Sequence, residues 1–213
     1  MITALILAGG RATRMGGVDK TALIVDGETI FARQVRVLAP RVAEVVISLG
    51  AEEEFAAKTP SSPSRGFSAR EARKNSLLGE LGVLVAKEIR TVTDAVIGVG
   101  PLAGVHAGLV AASTPWMLVV AGDMPHLSGE LVDRMIASIR EDVDAVGIRI
   151  DGLPEPLFCL LRVAPAREAI ERRFAEGKRK ASELLTDSGL RVAWLEQVDR
   201  AALTNINTPE DLT

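Results

Sequence analysis

The chain has 213 residues, 47% of them hydrophobic, enough for one well-buried core; a net charge of −3 and a pI of about 5.6 leave no basic footprint for nucleic acid. Aromatic residues make up 3% and tyrosine is absent, which speaks against base-stacking platforms for single strands. Cys159 is the only cysteine, which excludes an internal disulfide and a multi-cysteine zinc site and fits a reducing compartment.

The first element, Ile2–Leu7, reads as an apolar strand that runs straight into Ala8-Gly9-Gly10-Arg11-Ala12-Thr13-Arg14-Met15-Gly16-Gly17-Val18-Asp19-Lys20. Glycine has no Cβ, so such a loop can bring backbone N–H groups close to phosphate oxygens, while Arg11, Arg14 and Lys20 balance the charge of a polyphosphate. The loop is not a Walker loop, because Lys20 follows Asp19, and it is not a dinucleotide fingerprint, because Arg11 stands where the second glycine should fall. Arg14 and Lys20 are the candidate phosphate contacts, with the backbone of residues 7–10 lining a base or sugar. The alternative is a tight strand-to-helix turn with solvated charges.

Apolar residues Ile30, Phe31, Val35 and Leu38 recur at helical spacing, and residues 45–49 read as a short buried strand. Residues 52–80 differ: a run of glutamates leads into a Pro/Ser/Gly-rich stretch, so 56–78 is expected to be a mobile loop insertion with a short helix over 69–78. Residues 81–86 and 91–97 are weaker strand candidates, and Asp94 in the second can accept from a base or ribose or act as a solvated cap. Gly100-Pro101-Leu102-Ala103-Gly104 opens a small-residue helix to about residue 112. Its glycines permit either close approach of a ligand or close helix–sheet packing.

Trp116–Ala121 reads as a strand ending in Gly122-Asp123-Met124-Pro125. A lone carboxylate at a strand's carboxyl end suits Mg²⁺, which takes one or two carboxylates plus phosphates; the competing role for Asp123 is to cap the following turn. Ser128 is placed to cap a helix to residue 139, and Asp151-Gly152 marks a hairpin between strands 144–150 and 156–161. Helices are expected over 164–175 and 181–187, a strand over 191–195 and a helical turn over 208–212. Thr208, Pro209 and Asp211 explain that last turn as a cap, but not Asn205 and Asn207, which alternate on one face of an extended stretch. His106 and His126 lack metal-ligand spacing.

Strands alternating with helices predict an α/β fold with a parallel sheet, whose ligands bind at the carboxyl ends of the strands. The residues 1–213 are expected to form a single domain. No charged n-region precedes the first strand and no apolar run reaches the ~18 residues of a membrane span, so a soluble cytoplasmic protein without membrane or nucleic-acid partners is expected.

The chain resembles the MobA family of molybdenum cofactor guanylyltransferases, within the Rossmann-like nucleotidyltransferases. The residues that carry the resemblance are Leu7–Gly10 with Arg14–Lys20, Asp94, Gly100–Gly104, Gly122–Pro125, Pro154–Phe158 and Asn205–Leu212. The resemblance implies a three-layer α/β/α fold with a mostly parallel central sheet, and transfer of GMP from Mg²⁺-bound GTP to the phosphate of molybdopterin with release of pyrophosphate. By position, Leu7, Ala8 and Gly9 contact the nucleotide, Lys20 the phosphates, Asp94 the guanine or ribose, and Asp123 the Mg²⁺; Asn205 and Asn207 face the pterin or the metal. Arg14, Lys20 and Asp123 are then the catalytic set. The family often has Asn where Ser48 stands, and a hydroxyl can still bond a ribose. Gly10 favours GTP, since the cytidylyl relatives tend to carry Ala-Ala-Gly. Transient contact with cofactor-synthesis or molybdoenzyme-maturation proteins is also implied. The alternatives are a sibling using CTP or a sugar-phosphate acceptor, and a non-catalytic nucleotide- or pterin-binding partner.

Overall fold

The computed structural model describes residues 1–8, 21, 23–49, 89–93 and 100–206. The insertion 56–78, the helix over 69–78, the strand over 81–86 and the turn over 208–212 lie outside the described residues.

The elements, in chain order, are β1 (Ile2–Leu7), β2 (Ile24–Val25), β3 (Glu28–Thr29), α1 (Ile30–Leu38), β4 (Glu44–Ser48), β5 (Ile89–Val92), α2 (Pro101–Ala111), β6 (Trp116–Ala121), α3 (Gly129–Ala137), β7 (Ala145–Ile150), β8 (Leu153–Arg162), α4 (Val163–Ala175) and β9 (Val192–Leu195). Seven strands form one sheet in the order β5-β4-β1-β6-β8-β7-β9. All run in the same direction except β8, which is antiparallel to both neighbours.

The alternation of each strand sorts its side chains into two cores. Ile2, Ala4, Ile6, Val45, Ile47, Leu118 and Val120 meet Phe31, Val35 and Leu38 of α1 and Leu131, Val132 and Met135 of α3. Leu5, Val46, Met117, Val119, Cys159 and Leu161 meet Leu102, Val105 and Leu109 of α2 and Ala166 and Ile170 of α4. Each fully buried side chain of Leu or Phe size contributes about 1.5–3 kcal/mol, so the sheet is held from both faces as a three-layer α/β/α sandwich. Close packing accounts for Gly108 of α2, where a Cβ would lie 2.5 Å from Leu5 Cδ2; a Cβ at Gly100, which has φ 70°, would meet nothing within 4 Å. The caps follow the sequence, with Leu131 N–H donating to Ser128 Oγ at 3.2 Å and Ala32 N–H to Thr29 Oγ1 at 3.1 Å.

Several expectations need adjusting. The hairpin turns at Asp151-Gly152 as expected, but β8 begins at Leu153, ahead of residue 156. Pro154 is tolerated because that end of β8 pairs with β7, opposite Arg149, while its pairing with β6 goes no further than Val120 opposite Phe158. The strand placed over 91–97 is observed as Ile89–Val92, and residues 94–99 lie outside the described set. In place of a helix over 181–187 there is a 3-10 turn at Ala181–Glu183. Arg173, 2% exposed, draws the carbonyls of Lys180 (3.4 Å) and Asp187 (2.7 Å) and the Glu183 carboxylate (2.9 Å) onto its guanidinium, which sets the path of that segment. The sequence signals also overlooked β2 and β3, a two-residue ladder around Asp26-Gly27, both with positive φ (52° and 80°).

At the amino ends of the strands, Glu44 is buried. Its carboxylate accepts from Thr3 Oγ1 (2.6 Å), Ser113 N–H and Oγ (both 2.8 Å), and Arg90 Nη2. Burial pushes the carboxyl up, but the bonds from Thr3, Ser113 and Arg90 outweigh that and hold it down at about 2. Thr114 Oγ1 donates to the Trp116 carbonyl at 2.8 Å and lies 2.8 Å from Thr3 Oγ1. The guanidinium of Arg162 stacks 4.7 Å over Trp116, and that of Arg149 4.0 Å over Trp194.

Candidate active site

The carboxyl ends of four strands are laced into one edge. Leu49 N–H donates to Val92 O (3.2 Å), Ala8 N–H to Ser48 O (2.9 Å), and Gly122 N–H to Leu7 O (3.1 Å). Leu7 is half-buried, while Ala8 and Ser48 are buried. This edge is where a parallel sheet exposes its strand ends to ligands.

Gly122 is needed here for space. A Cβ would lie 2.8 Å from Leu7 O and 2.8 Å from Thr21 Cγ2, so only glycine lets the turn after β6 sit against the end of β1. Thr21, 2% exposed, directly follows Lys20 in the chain, and its contact ties the far end of the glycine loop to the Asp123 turn. Gly122→Ala is expected to cost about 2 kcal/mol, a fall in melting temperature of roughly 4–8 °C, because a backbone carbonyl must move. It should also slow turnover at least about tenfold by displacing Asp123. Thermal melts and initial rates check both.

Asp123 is half-buried, and its carbonyl accepts from Ile206 N–H at 3.0 Å. Ile206 is 2% exposed and anchors the extended segment 204–206 on the turn, bringing Asn205 to it. Asn205 Oδ1 is buried without a hydrogen-bond partner among the described residues. A carboxylate and an amide oxygen thus come to one turn, a hard donor set that fits a small divalent cation sharing its shell with phosphate oxygens and water. Among the described residues no group of three or more His, Cys, Asp or Glu is placed to hold a metal ion.

Leu7, Ala8, Ser48, Asp123 and Asn205 therefore fall on one edge of the sheet. Gly9, Gly10, Arg14, Lys20, Asp94 and Asn207 lie outside the described residues.

Three residues to which the sequence reading gave no role belong to this edge. Glu155 of β8 is half-buried; burial pushes its carboxyl up, the Leu157 N–H pulls it down, and the Asp123 charge raises it again. Two carboxyls therefore feel each other here, and a Pro-Glu-Pro stretch in a strand next to the Asp123 turn was the available signal. Gln34 of α1 is fully buried, and its Nε2 donates to Ala121 O (2.8 Å) and Met124 O (3.1 Å). Arg33 donates to Pro125 O (3.3 Å) and to Val25 O (3.2 Å), bridging the turn to β2. The signal for Gln34 was a polar residue on the apolar face of α1. Cys159 lies in the core beneath, and burial, with the Glu155 charge, pushes its thiol up to about 12, so it is inert.

Comparison with known proteins identifies the family. Residues 4–193 match the MobA-like NTP transferase domain. The chain is 30% identical over 211 residues to the molybdenum cofactor guanylyltransferase of Pseudomonas aeruginosa, covering 97% of this chain and 90% of that protein. It is 30% identical to the enzyme of that name from Yersinia pestis, covering 99% and 92%. Among solved structures, molybdopterin-guanine dinucleotide biosynthesis protein A from Archaeoglobus fulgidus superimposes with a TM-score of 0.65 at 24% identity, over 100% of this chain and 95% of that one. The 4-diphosphocytidyl-2C-methyl-D-erythritol synthase of Anaerococcus prevotii shares the fold, with a TM-score of 0.70 at 15% identity over 100% and 92%. With the strand-end site in place and the match running through nearly all of the chain, this nucleotidyltransferase belongs to the MobA-like NTP transferase family.

Proposed function

We propose that the protein transfers GMP from GTP to the phosphate of molybdenum-molybdopterin, releasing pyrophosphate and making the guanine dinucleotide form of the molybdenum cofactor. The observation that carries this reading is the Asp123 turn. It is bonded on one side to the strand that feeds the glycine loop and on the other to the Asn205 segment, in a chain whose relatives are named guanylyltransferases.

The acceptor phosphate is already an anion, so attack on the α-phosphorus needs in-line positioning and charge neutralisation more than a protein base. The backbone at Leu7, Ala8, Gly9 and Gly10 lines the guanosine end, with Ser48 and Asp94 toward ribose or base. Arg14 and Lys20 neutralise the departing pyrophosphate. Asp123 would hold Mg²⁺, which would supply positive charge beside the phosphate oxygens. Asn205 and Asn207 face the pterin side. All of this takes place in one domain in the cytoplasm, with transient contact to proteins of cofactor synthesis or molybdoenzyme maturation. No helix among the described residues is long and apolar enough to cross a membrane.

The test is pyrophosphate release with molybdopterin and each of the four nucleoside triphosphates. GTP is expected to outpace CTP and ATP at least about 100-fold, since a site that hydrogen-bonds one base leaves buried groups unpaired with another. Equal rates with CTP remove the guanylyl assignment and leave the nucleotidyltransferase one. Tight GTP binding without pyrophosphate release identifies a non-catalytic partner instead.

A further inference from the structure

We infer that Gln34 is a positioning residue for Asp123: its buried amide sets the turn that presents the carboxylate to a divalent cation. Gln34 sits on the apolar face of α1 among Ile30, Phe31, Val35 and Leu38, all fully buried. Its Nε2 bridges the carbonyls of Ala121 and Met124, at 2.8 and 3.1 Å, which bracket Gly122-Asp123. The amide orientation follows from chemistry, since Oε1 turned toward two carbonyl oxygens would be repelled. Turned as it is, Oε1 is buried with no hydrogen-bond partner among the described residues.

That orphan acceptor matters. A hydrocarbon side chain on the same helix face would carry no unsatisfied atom of its own, but it would leave the Ala121 and Met124 carbonyls without this donor. An amide at this position therefore needs a reason in the acceptors it serves. Two carbonyls on either side of the metal-ligand candidate give one: strand β6 ends at Ala121, and the turn beyond it must hold one shape. Arg33 adds a weaker hold on Pro125 O from the next position of α1. Helix α1 thus grips the turn from residues 121 to 125.

The inference rests on the assignment of Asp123, and its test includes readouts that need no turnover. Gln34→Met keeps volume and removes both donors. Its melting temperature is expected to fall by a few degrees, because the Ala121 and Met124 carbonyls lose this donor while only one orphan acceptor goes with it. Amide hydrogen exchange at residues 122–124 should speed up at least about tenfold, with the rest of the sheet unchanged. Mn²⁺ binding in the presence of GTP, followed by electron paramagnetic resonance, should weaken at least about tenfold, in the range seen when outer-shell support of a metal ligand is lost. In turnover, kcat should fall about 10- to 100-fold with the KM for GTP within about threefold, the mark of lost positioning. Gln34→Leu serves in the same assays where Gln34→Met does not fold.

Unchanged exchange at the turn, or faster exchange with unchanged Mn²⁺ affinity, overturns the role of Gln34. A lower melting temperature with unaltered kcat and Mn²⁺ affinity shows a structural residue only, and overturns it too. If the wild type releases no pyrophosphate, the guanylyltransferase reading falls, and the exchange and Mn²⁺ measurements still decide for or against Gln34.

Discussion

Asp123→Ala is expected to lower Mg²⁺-dependent pyrophosphate release by about 1,000-fold or more while leaving the protein folded. A metal bound to phosphate supplies several kcal/mol of charge stabilisation, and about 4 kcal/mol corresponds to three orders of magnitude in rate. The fold should survive because the bonds that shape the turn run through main-chain atoms: Gly122 N–H to Leu7 O, Ile206 N–H to Asp123 O, and the Ala121 and Met124 carbonyls to Gln34. None of these uses the Asp123 carboxylate. Melting temperature and initial rate, measured on the same preparation, separate the two effects. Turnover within about tenfold of the wild type would sink the assignment of Asp123.

The second large effect lies at the opposite end of the sheet and concerns stability. Glu44→Gln removes the charge that receives Arg90, Thr3 and Ser113. Breaking one side of such a buried cluster costs about 3 kcal/mol, or on the order of 10 °C in melting temperature for a chain of this size. Turnover at low temperature should be unaffected, because Glu44 clamps the amino ends of β1 and β4, away from Asp123. The pH dependence carries a sign. The Glu44 carboxyl is held at about 2 in the folded protein against an ordinary 4.5. Its stabilisation is therefore complete above about 4.5 and is lost as pH falls toward 2. Asp144, held low by its bonds to Arg191, loses stabilisation in the same direction. The difference between wild type and Glu44→Gln isolates the Glu44 share: melting temperatures should converge as pH drops from 5 to 3. Parallel curves over that range would show that the Glu44 proton does not govern acid stability.

What could be read from the residues was local. Ile2–Leu7 and Trp116–Ala121 were legible because continuous apolar runs ended at glycine, and α1 because four apolar residues fell on one face. Ser128 was legible as a cap because a hydroxyl directly before an apolar helical pattern has one common use. Asp123 and Asn205 stood out by type and position, and Ile206 N–H to Asp123 O shows that they belong to the same turn. What was not legible depends on partners distant in sequence. Gln34 stands out as a polar residue on an apolar helix face, but its use appears only when carbonyls 87 and 90 positions away are placed over it. Glu44 reads as a surface carboxylate until Ser113, 69 residues on, closes over it. The reach of β8 past two prolines depends on β6 having ended, which no window of the β8 sequence contains.

The bonded pair of Thr114 with Thr3 and Trp116 has a spectroscopic use. The chain contains two tryptophans and no tyrosine, so emission excited at wavelengths beyond phenylalanine absorption comes from Trp116 and Trp194 alone. Trp116 is 6% exposed beneath the Arg162 guanidinium, and its carbonyl meets the hydroxyl that also touches Thr3, the donor to Glu44. It is a native optical reporter wired into the acid-sensitive clamp, and no label or added fluorophore is needed to watch that end of the sheet open.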